Sequence, residues 1–282
     1  MKKNKSETAV TQSNLLVESR FKLTLSEIKL LLWMIKEVHP GDTDFKTYRI
    51  YIKDFIESTS EVKRSDFYTE AKSITESFLS KVLKLKTGNK FTQTHFMSSV
   101  TYTDGEAYID YCFDKSLKPH LIQLKEQFTS YDIQNIINCR SAHSIRLYQL
   151  LKSFEGLEER TIKVEELRYM LVLENEYSRF YDFKRFILNK AQKELKKYSD
   201  IYFDYETNKR GRNIESITFL IKKKKQRRLF DGKRKAEGSI DIAPSNYQDL
   251  TEKVETLKKE IESGEAISLS EFKKTTKKPP EI

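Results

Sequence analysis

Glycine, cysteine and histidine are the scarce residues of this sequence. Only eight of its 282 residues are glycine, and none forms a P-loop or a G-x-G-x-x-G turn. That argues against nucleotide-driven motors and dinucleotide enzymes, which need such phosphate cradles. Cys112 and Cys139 stand alone, without C-x-x-C spacing or a disulfide framework, as fits a reducing cytosol. His39, His95, His120 and His143 are solitary, so no closely spaced pair is offered to a metal, and neither a metal site nor a cofactor is expected. The longest apolar run, Leu30 to Ile35, is six residues, far short of a membrane span. The opening MKKNKSETAVTQSN lacks the apolar stretch of a secretory signal. A cytoplasmic protein with no membrane partner is the expectation.

What the sequence does have is charge, and the charge is concentrated. Lys and Arg number 52 against 42 Asp and Glu, a net +10. The window from Lys184 to Arg228 holds fifteen Lys/Arg and five Asp/Glu, so it alone carries a surplus equal to that of the whole chain. A basic segment inside a structured region is the usual footprint of a polyanionic partner, most often nucleic acid. Hydrophobic residues make up 38% of the chain, with 15 Tyr and 17 Phe, enough for a sizeable folded core.

The pattern along the chain predicts an α+β protein. Residues 1–13 are polar and read as a flexible arm. Thr24-Leu25-Ser26-Glu27 reads as a capping box. Behind it Leu25, Ile28, Leu31, Leu32, Ile35 and Val38 recur at helical spacing, up to His39-Pro40-Gly41-Asp42. Tyr48 to Glu57 predicts a short strand or bend feeding a short helix. A longer helix is expected from Ser65 to Leu85, burying Phe67, Ala71, Ile74, Phe78, Val82 and Leu85. Two alternating runs follow, Phe91 to Thr103 and Ala107 to Phe113, joined by Asp104-Gly105.

The same order then repeats. A helix carries Ala142, Ile145, Tyr148, Leu151 and Phe154, and stops at Gly156. The extended Thr161-Ile162 leads into a short helix, Val164 to Leu171. A longer helix, Arg179 to Lys197, buries Phe183, Ile187, Ala191 and Leu195. A hairpin closes the unit, with strands Ile201 to Tyr205 and Ile214 to Ile221 and a turn through Asn208-Lys209-Arg210-Gly211. Helix, short helix, long helix and hairpin, twice over, is the plan of two tandem winged-helix domains, placed at residues 14–130 and 131–230. Lys115 to Asn138 joins them, with Pro119 early in a helix. Residues 231–282 read as a largely flexible tail with a short helix at Leu250, Val254, Leu257 and Ile261.

In a helix-turn-helix the second helix lies in the major groove and its N-terminal, outward residues meet base edges. With Phe183 and Ile187 inward, the helix from Arg179 turns Ser178, Arg179, Asp182, Arg185, Asn189 and Lys193 outward. Arg179, Arg185 and Asn189 are the candidates for base readout, since Arg pairs with guanine and Asn with adenine through two bonds each. Lys184, Lys190, Lys193 and Lys196 suit phosphates. So do Lys209, Arg210 and Arg212, three cations around Gly211 at the tip of the hairpin. The matching helix of the first domain offers a weaker set, Lys63, Arg64, Tyr68 and Lys72. Double-stranded DNA is therefore the expected partner.

Several segments together resemble the iteron-binding plasmid replication initiators, a family with two winged-helix domains. In the first half these are Asn14-Leu15-Leu16 and the run from Leu23 to Leu31. In the second they are Phe128-Thr129-Ser130-Tyr131, the run from Ser141 to Leu151, Glu166-Leu167-Arg168, Tyr181-Asp182-Phe183-Lys184-Arg185, and Gly211-Arg212 before Ile217-Thr218-Phe219. The likeness spans about Asn14 to Lys223, although the loop from Leu173 to Arg179 lacks a glycine where a tight turn is expected. The resemblance implies that the second domain binds repeated origin sites, and that the first serves DNA contact and dimerisation. It also implies a homodimer in equilibrium with monomer, origin opening and recruitment of host helicase by the monomer, and repression of its own gene by the dimer. A dimeric winged-helix transcriptional regulator using the same helices is the alternative.

Catalytic readings fare worse. His143-Ser144-Ile145-Arg146 matches the H-x-x-R of tyrosine recombinases, with Tyr177 downstream, but no His or Trp stands between them. A rolling-circle nickase needs a histidine pair that is absent. Glu158-Glu159 and Glu165-Glu166 fit loops and helix starts. No catalytic site is expected. If about six to eight of the named cations touch phosphates, log affinity for DNA should fall with log salt at about −0.9 per contact. Filter binding across a salt series reads that slope, and an affinity indifferent to salt would refute this surface.

Overall fold

In the computed structural model, which describes residues 8–39, 41–58, 67–103, 106–124 and 127–224, the first element is a strand. This is β1 (Ala9–Ser13), which corrects the expectation of a flexible arm over residues 1–13. Apart from Ala9 and the buried Val10 its side chains are polar, namely Thr11, Gln12 and Ser13, so no apolar alternation announces it. They are buried because a distant strand supplies their partners: Thr11 bonds Ser130 at 2.9 Å, and Gln12 Nε2 donates to the Tyr131 hydroxyl at 3.0 Å. Ser13 then caps α1 (Asn14–Glu18), accepting from the Leu16 amide.

Helix α2 (Leu25–Lys36) opens on the complete capping box, with the Thr24 amide donating to Glu27 Oε2 at 2.7 Å and the Glu27 amide to Thr24 Oγ1 at 3.3 Å. Every residue from Glu27 to Ile35 is buried, so α2 is a central rod, covered beyond the one apolar stripe read from the sequence. Burial alone would raise the pKa of the Glu27 carboxyl. Donors from Lys81, Ser77 and the Thr24 amide outweigh it and hold the pKa below the usual range.

The strand β2 (Tyr48–Tyr51) and helix α3 (Ile52–Ser58) follow, then α4 (Phe67–Ser80). The expected helix to Leu85 ends early. Leu83 and Leu85 are buried while Lys84 and Lys86 are exposed, a period of two that makes β3 (Leu83–Thr87), with Val82 outside the core. Strand β3 pairs with β4 (Lys90–Thr94), while β5 (Met97–Tyr102) pairs with β6 (Tyr108–Phe113). The run read as one strand from Phe91 to Thr103 is therefore two, in different sheets. Its joining turn, Asp104-Gly105, lies outside the described residues.

Helix α5 (Lys118–Leu121), with Pro119 in its first turn, precedes β7 (Phe128–Asp132), the antiparallel partner of β1. The domain boundary expected after residue 130 falls inside this strand. Then come α6 (Ala142–Lys152), β8 (Glu159–Lys163), α7 (Val164–Leu171) and α8 (Phe180–Phe183). A π-helical turn over Lys184–Leu188 runs on into α9 (Asn189–Tyr198), and β9 (Ile201–Arg210) and β10 (Asn213–Lys223) form the last hairpin. The two three-stranded sheets, β2-β6-β5 and β8-β10-β9, have the same order, so two winged helices lie in tandem, with β3–β4 inserted into the first.

All the described residues belong to one unit, and α6 is its seam. Ser144 to Leu151 are buried. On one side the fully buried Arg146 donates to the Ser19 carbonyl at 2.9 Å, its guanidinium 4.1 Å from the Phe21 ring centre, and Gln149 donates to Tyr131 at 2.7 Å. On the other, Tyr148 and Lys152 donate to the two oxygens of Asp200, at 2.9 and 2.7 Å. No carboxylate bonds Arg146 among the described residues, and burial pulls its pKa down to about 10. Arg146→Ala should lower stability by about 2–4 kcal/mol, because the Ser19 carbonyl loses its donor and a cavity opens at the seam. Urea unfolding measures it; an unchanged midpoint would remove Arg146 from the seam.

Candidate nucleic-acid interface

The second recognition helix depends on an irregularity. Phe183, Ile187, Ala191 and Leu195 are all buried, at a strict spacing of four. At 3.6 residues per turn each such step overshoots by about 40°, and three steps would carry the stripe off the core. The π-turn over Lys184–Leu188 adds the extra residue per turn that keeps the stripe inward.

Its approach is a tight turn built without glycine. Val172 and Tyr177 both take left-handed backbone, at φ 56° and 52°, an unfavourable conformation for residues with a Cβ. One side chain holds the turn. Arg168 Nη1 donates to the Leu173 carbonyl at 3.3 Å and the Glu176 carbonyl at 2.8 Å, and Nη2 donates to the Tyr177 carbonyl at 2.6 Å. The same guanidinium lies 4.8 Å from the Phe183 ring centre, so the turn and the helix share one brace.

The cations named from the sequence in the second domain are all exposed. Arg179 is the N-cap of α8; Lys184, Arg185, Lys190, Lys193 and Lys196 are exposed along the helix. None of these six forms a salt bridge among the described residues. The Arg185 guanidinium lies 5.2 Å from the Phe186 ring centre. Asn189 is placed differently from the free, outward side chain expected. It is half-buried, and its Oδ1 accepts from the Tyr205 hydroxyl at 2.8 Å, which ties helix to wing. Gln192 strengthens that joint, donating to the Phe203 carbonyl and to Asp204, both at 3.1 Å.

The wing is longer than the sequence predicts. Asn208, Lys209 and Arg210 lie in β9, not in the turn, because Asn208 bonds across to Ser216 and Thr218. Only Gly211 and Arg212 form the turn. Gly211 takes φ 64°, which suits glycine at the first position of a two-residue hairpin turn. Lys209 and Arg212 are exposed and form no salt bridge among the described residues, whereas Arg210 pairs with Glu215 at 3.3 Å.

Of the candidates named in the first winged helix, one can be placed with its side chain. Lys72 is exposed on α4 with its ammonium 5.4 Å from the Tyr102 ring centre. Tyr68 lies in α4, but its side chain is outside the description; Lys63 and Arg64 lie outside the described residues altogether, as do residues 225–282. No group of three or more His, Cys, Asp or Glu is placed to hold a metal among the described residues, and no described helix is long and apolar enough to cross a membrane.

Comparison with known proteins places this architecture. The family models "Initiator Replication protein, WH1" and "Initiator Rep protein, WH2" match residues 9–152 and 163–221. The chain belongs to this family of replication initiators. A replication initiation protein of Escherichia coli is 24% identical over 237 residues, covering 78% of this chain and 72% of that protein. The PI protein of Escherichia coli is 30% identical over 138 residues, 43% of this chain and 45% of its own length. Among solved structures, the Pi initiator protein in complex with iteron DNA matches with a TM-score of 0.64 at 19% identity, covering 76% of this chain and 97% of that one, a likeness of fold. The WH1 match of the initiator family runs through α6, the helix that also packs on α9.

Sequence reasoning missed Arg168, whose signal was the absence of glycine downstream: a turn of that tightness needs either a glycine or a clamp. Arg168→Met keeps the packing on Phe183 and removes all three bonds. It should cost about 2–3 kcal/mol and speed amide exchange across residues 173–178. Exchange unchanged from the parent protein would show that the turn stands without the clamp.

Proposed function

We propose that the protein initiates plasmid replication by binding repeated duplex sites at an origin, with the second winged helix as the principal reader. What carries this reading is the set of exposed cations on the second recognition helix, none of them in a salt bridge among the described residues, in a chain of the replication-initiator family. Arg179 and Arg185 read bases from the major groove. Asn189 keeps a reading role only through its amide N–H groups, its oxygen being held by Tyr205. Lys184, Lys190, Lys193, Lys196, Lys209, Arg210 and Arg212 grip phosphates and set register.

Lys63, Arg64, Tyr68 and Lys72 of the first domain provide a second, weaker contact. Origin opening uses binding energy and DNA bending at flexible steps, without an enzymatic activity of the protein's own. Dimerisation through the first domain, engagement of host helicase, repression of its own gene and a cytoplasmic location rest on the resemblance to iteron-binding initiators. Two winged helices side by side suit sites in which each domain meets its own groove.

Footprinting across the DNA flanking its own gene should show several evenly spaced, same-direction protected repeats. A single inverted repeat at a promoter would indicate a regulator instead. On the protected repeat, Arg185→Ala should cost about 1–3 kcal/mol and relax preference at one base position, while Arg210→Ala weakens all sequences alike. Identical behaviour of the two variants would overturn the division between readout and grip.

A further inference from the structure

Two large aromatic side chains stand exposed on the second recognition helix, and only one has a structural explanation. Phe186, 46% exposed, packs against Tyr177 with ring centres 5.7 Å apart and supports the Arg185 guanidinium. Tyr181 is 68% exposed, and its side chain makes no hydrogen bond, ion pair or ring contact with any described residue. The core does not need it, since Phe183, Ile187, Leu188, Ala191 and Leu195 already fill the buried side of the helix. Cations outnumber carboxylates around it: Arg179 two residues before it and Lys184 and Arg185 three and four after it, all exposed, against the half-buried Asp182 directly after it. Spacings of three and four bring side chains together on a helical surface.

A bare ring among unpaired cations, on the first turn of a recognition helix, matches the chemistry of one surface in particular. The major-groove edge of DNA offers acceptors to arginine and a single kind of apolar group, the 5-methyl of thymine. We infer that Tyr181 is a specificity-determining residue that reads thymine through this methyl group. The inference rests on the placement of α8 in the major groove proposed above. Lys184 and Arg185 hold the flanking phosphate and base, and Tyr181 covers the methyl and excludes water from it. Because the ring has no partner in the free protein, nothing within the fold is lost when it engages DNA.

Deoxyuridine removes the methyl and leaves the pairing edge intact, which gives a direct test. Each thymine of the footprinted repeat is replaced in turn by deoxyuridine, and affinity is measured for the full-length protein and three variants. For the parent protein, one replacement under the second domain should weaken binding about three- to tenfold. Tyr181→Phe should retain that discrimination, whereas Tyr181→Ala should bind both duplexes alike, near the affinity of the parent for the uracil duplex. Discrimination that persists in Tyr181→Ala would overturn the inference, as would a parent protein indifferent to every replacement. So would a Tyr181→Phe loss as large as that of Tyr181→Ala on both duplexes, which would mark a phenol-to-phosphate contact instead.

Arg185→Ala, tested against base-pair changes on the same repeat, separates the two levels of the argument. If it relaxes a base preference while the methyl test fails, the groove placement stands and the role of Tyr181 falls. If it alters no preference either, the groove placement itself falls.

Discussion

The Arg146 guanidinium sits fully buried between the two winged helices, bonded to a backbone carbonyl on one side and to Gln149 on its own helix. A buried cation with no carboxylate beside it is costly unless its few bonds and its packing hold firm. Here they are the Ser19 carbonyl, the Gln149 side chain and the Phe21 ring, and together they fix α6 against the segment that leads into α2. From α6 the constraint passes on through Tyr148 and Lys152 to Asp200, at the start of the wing. The orientation of the wing is thus set from within the seam. Further ion pairs bridge the same halves at the surface, including Lys22 with Glu176 at 2.6 Å and Arg20 with Glu174, but exposed pairs of this kind contribute little.

That division suits a protein that must grip a long polyanion. At the seam, Arg146, Gln149, Tyr148 and Lys152 are held by directed bonds rather than by exposed charge. The second recognition helix can then carry its cations unpaired, ready for phosphates, without destabilising the domain on which it stands. Wing charges find partners at both ends of the hairpin: Lys222 pairs with Asp204 at 2.6 Å near its base, and Arg210 with Glu215 at 3.3 Å near its tip. The cations toward Gly211 and Arg212 are the more exposed ones.

Much of the fold was legible where one physical signal dominates. The Thr24 and Glu27 capping box, the helix α7, and the short helix before the recognition helix in each half all formed as their patterns predict. The sequence misled where two periods overlap or where polar residues are buried. Val82 and Leu85 continue a helical stripe on paper, yet the burial of Leu83 and Leu85 in alternation with Lys84 and Lys86 makes a strand. Strand β1 was missed because Thr11, Gln12 and Ser13 look like solvent-facing residues until Ser130, Tyr131 and His120 are placed beside them. Of the candidate site, the exposure of the arginines and lysines named in the second domain matches what charge and helical spacing predict. Asn189 was named for its chemistry, but the Tyr205 hydroxyl that engages it lies sixteen residues away on another element.

By itself, the sequence determined most of the inventory: the main helices, that the plan occurs twice, and where the positive charge is concentrated. These follow from local periodicity, capping and composition, all of which act over a few residues. Only the tertiary structure decided that the two halves share a helix, that a π-turn keeps the recognition helix in phase with the core, and that Arg168 replaces a missing glycine. It also decided which aromatic rings remain bare. Such outcomes depend on contacts between residues far apart in the chain, whose energies exist only once the elements have packed.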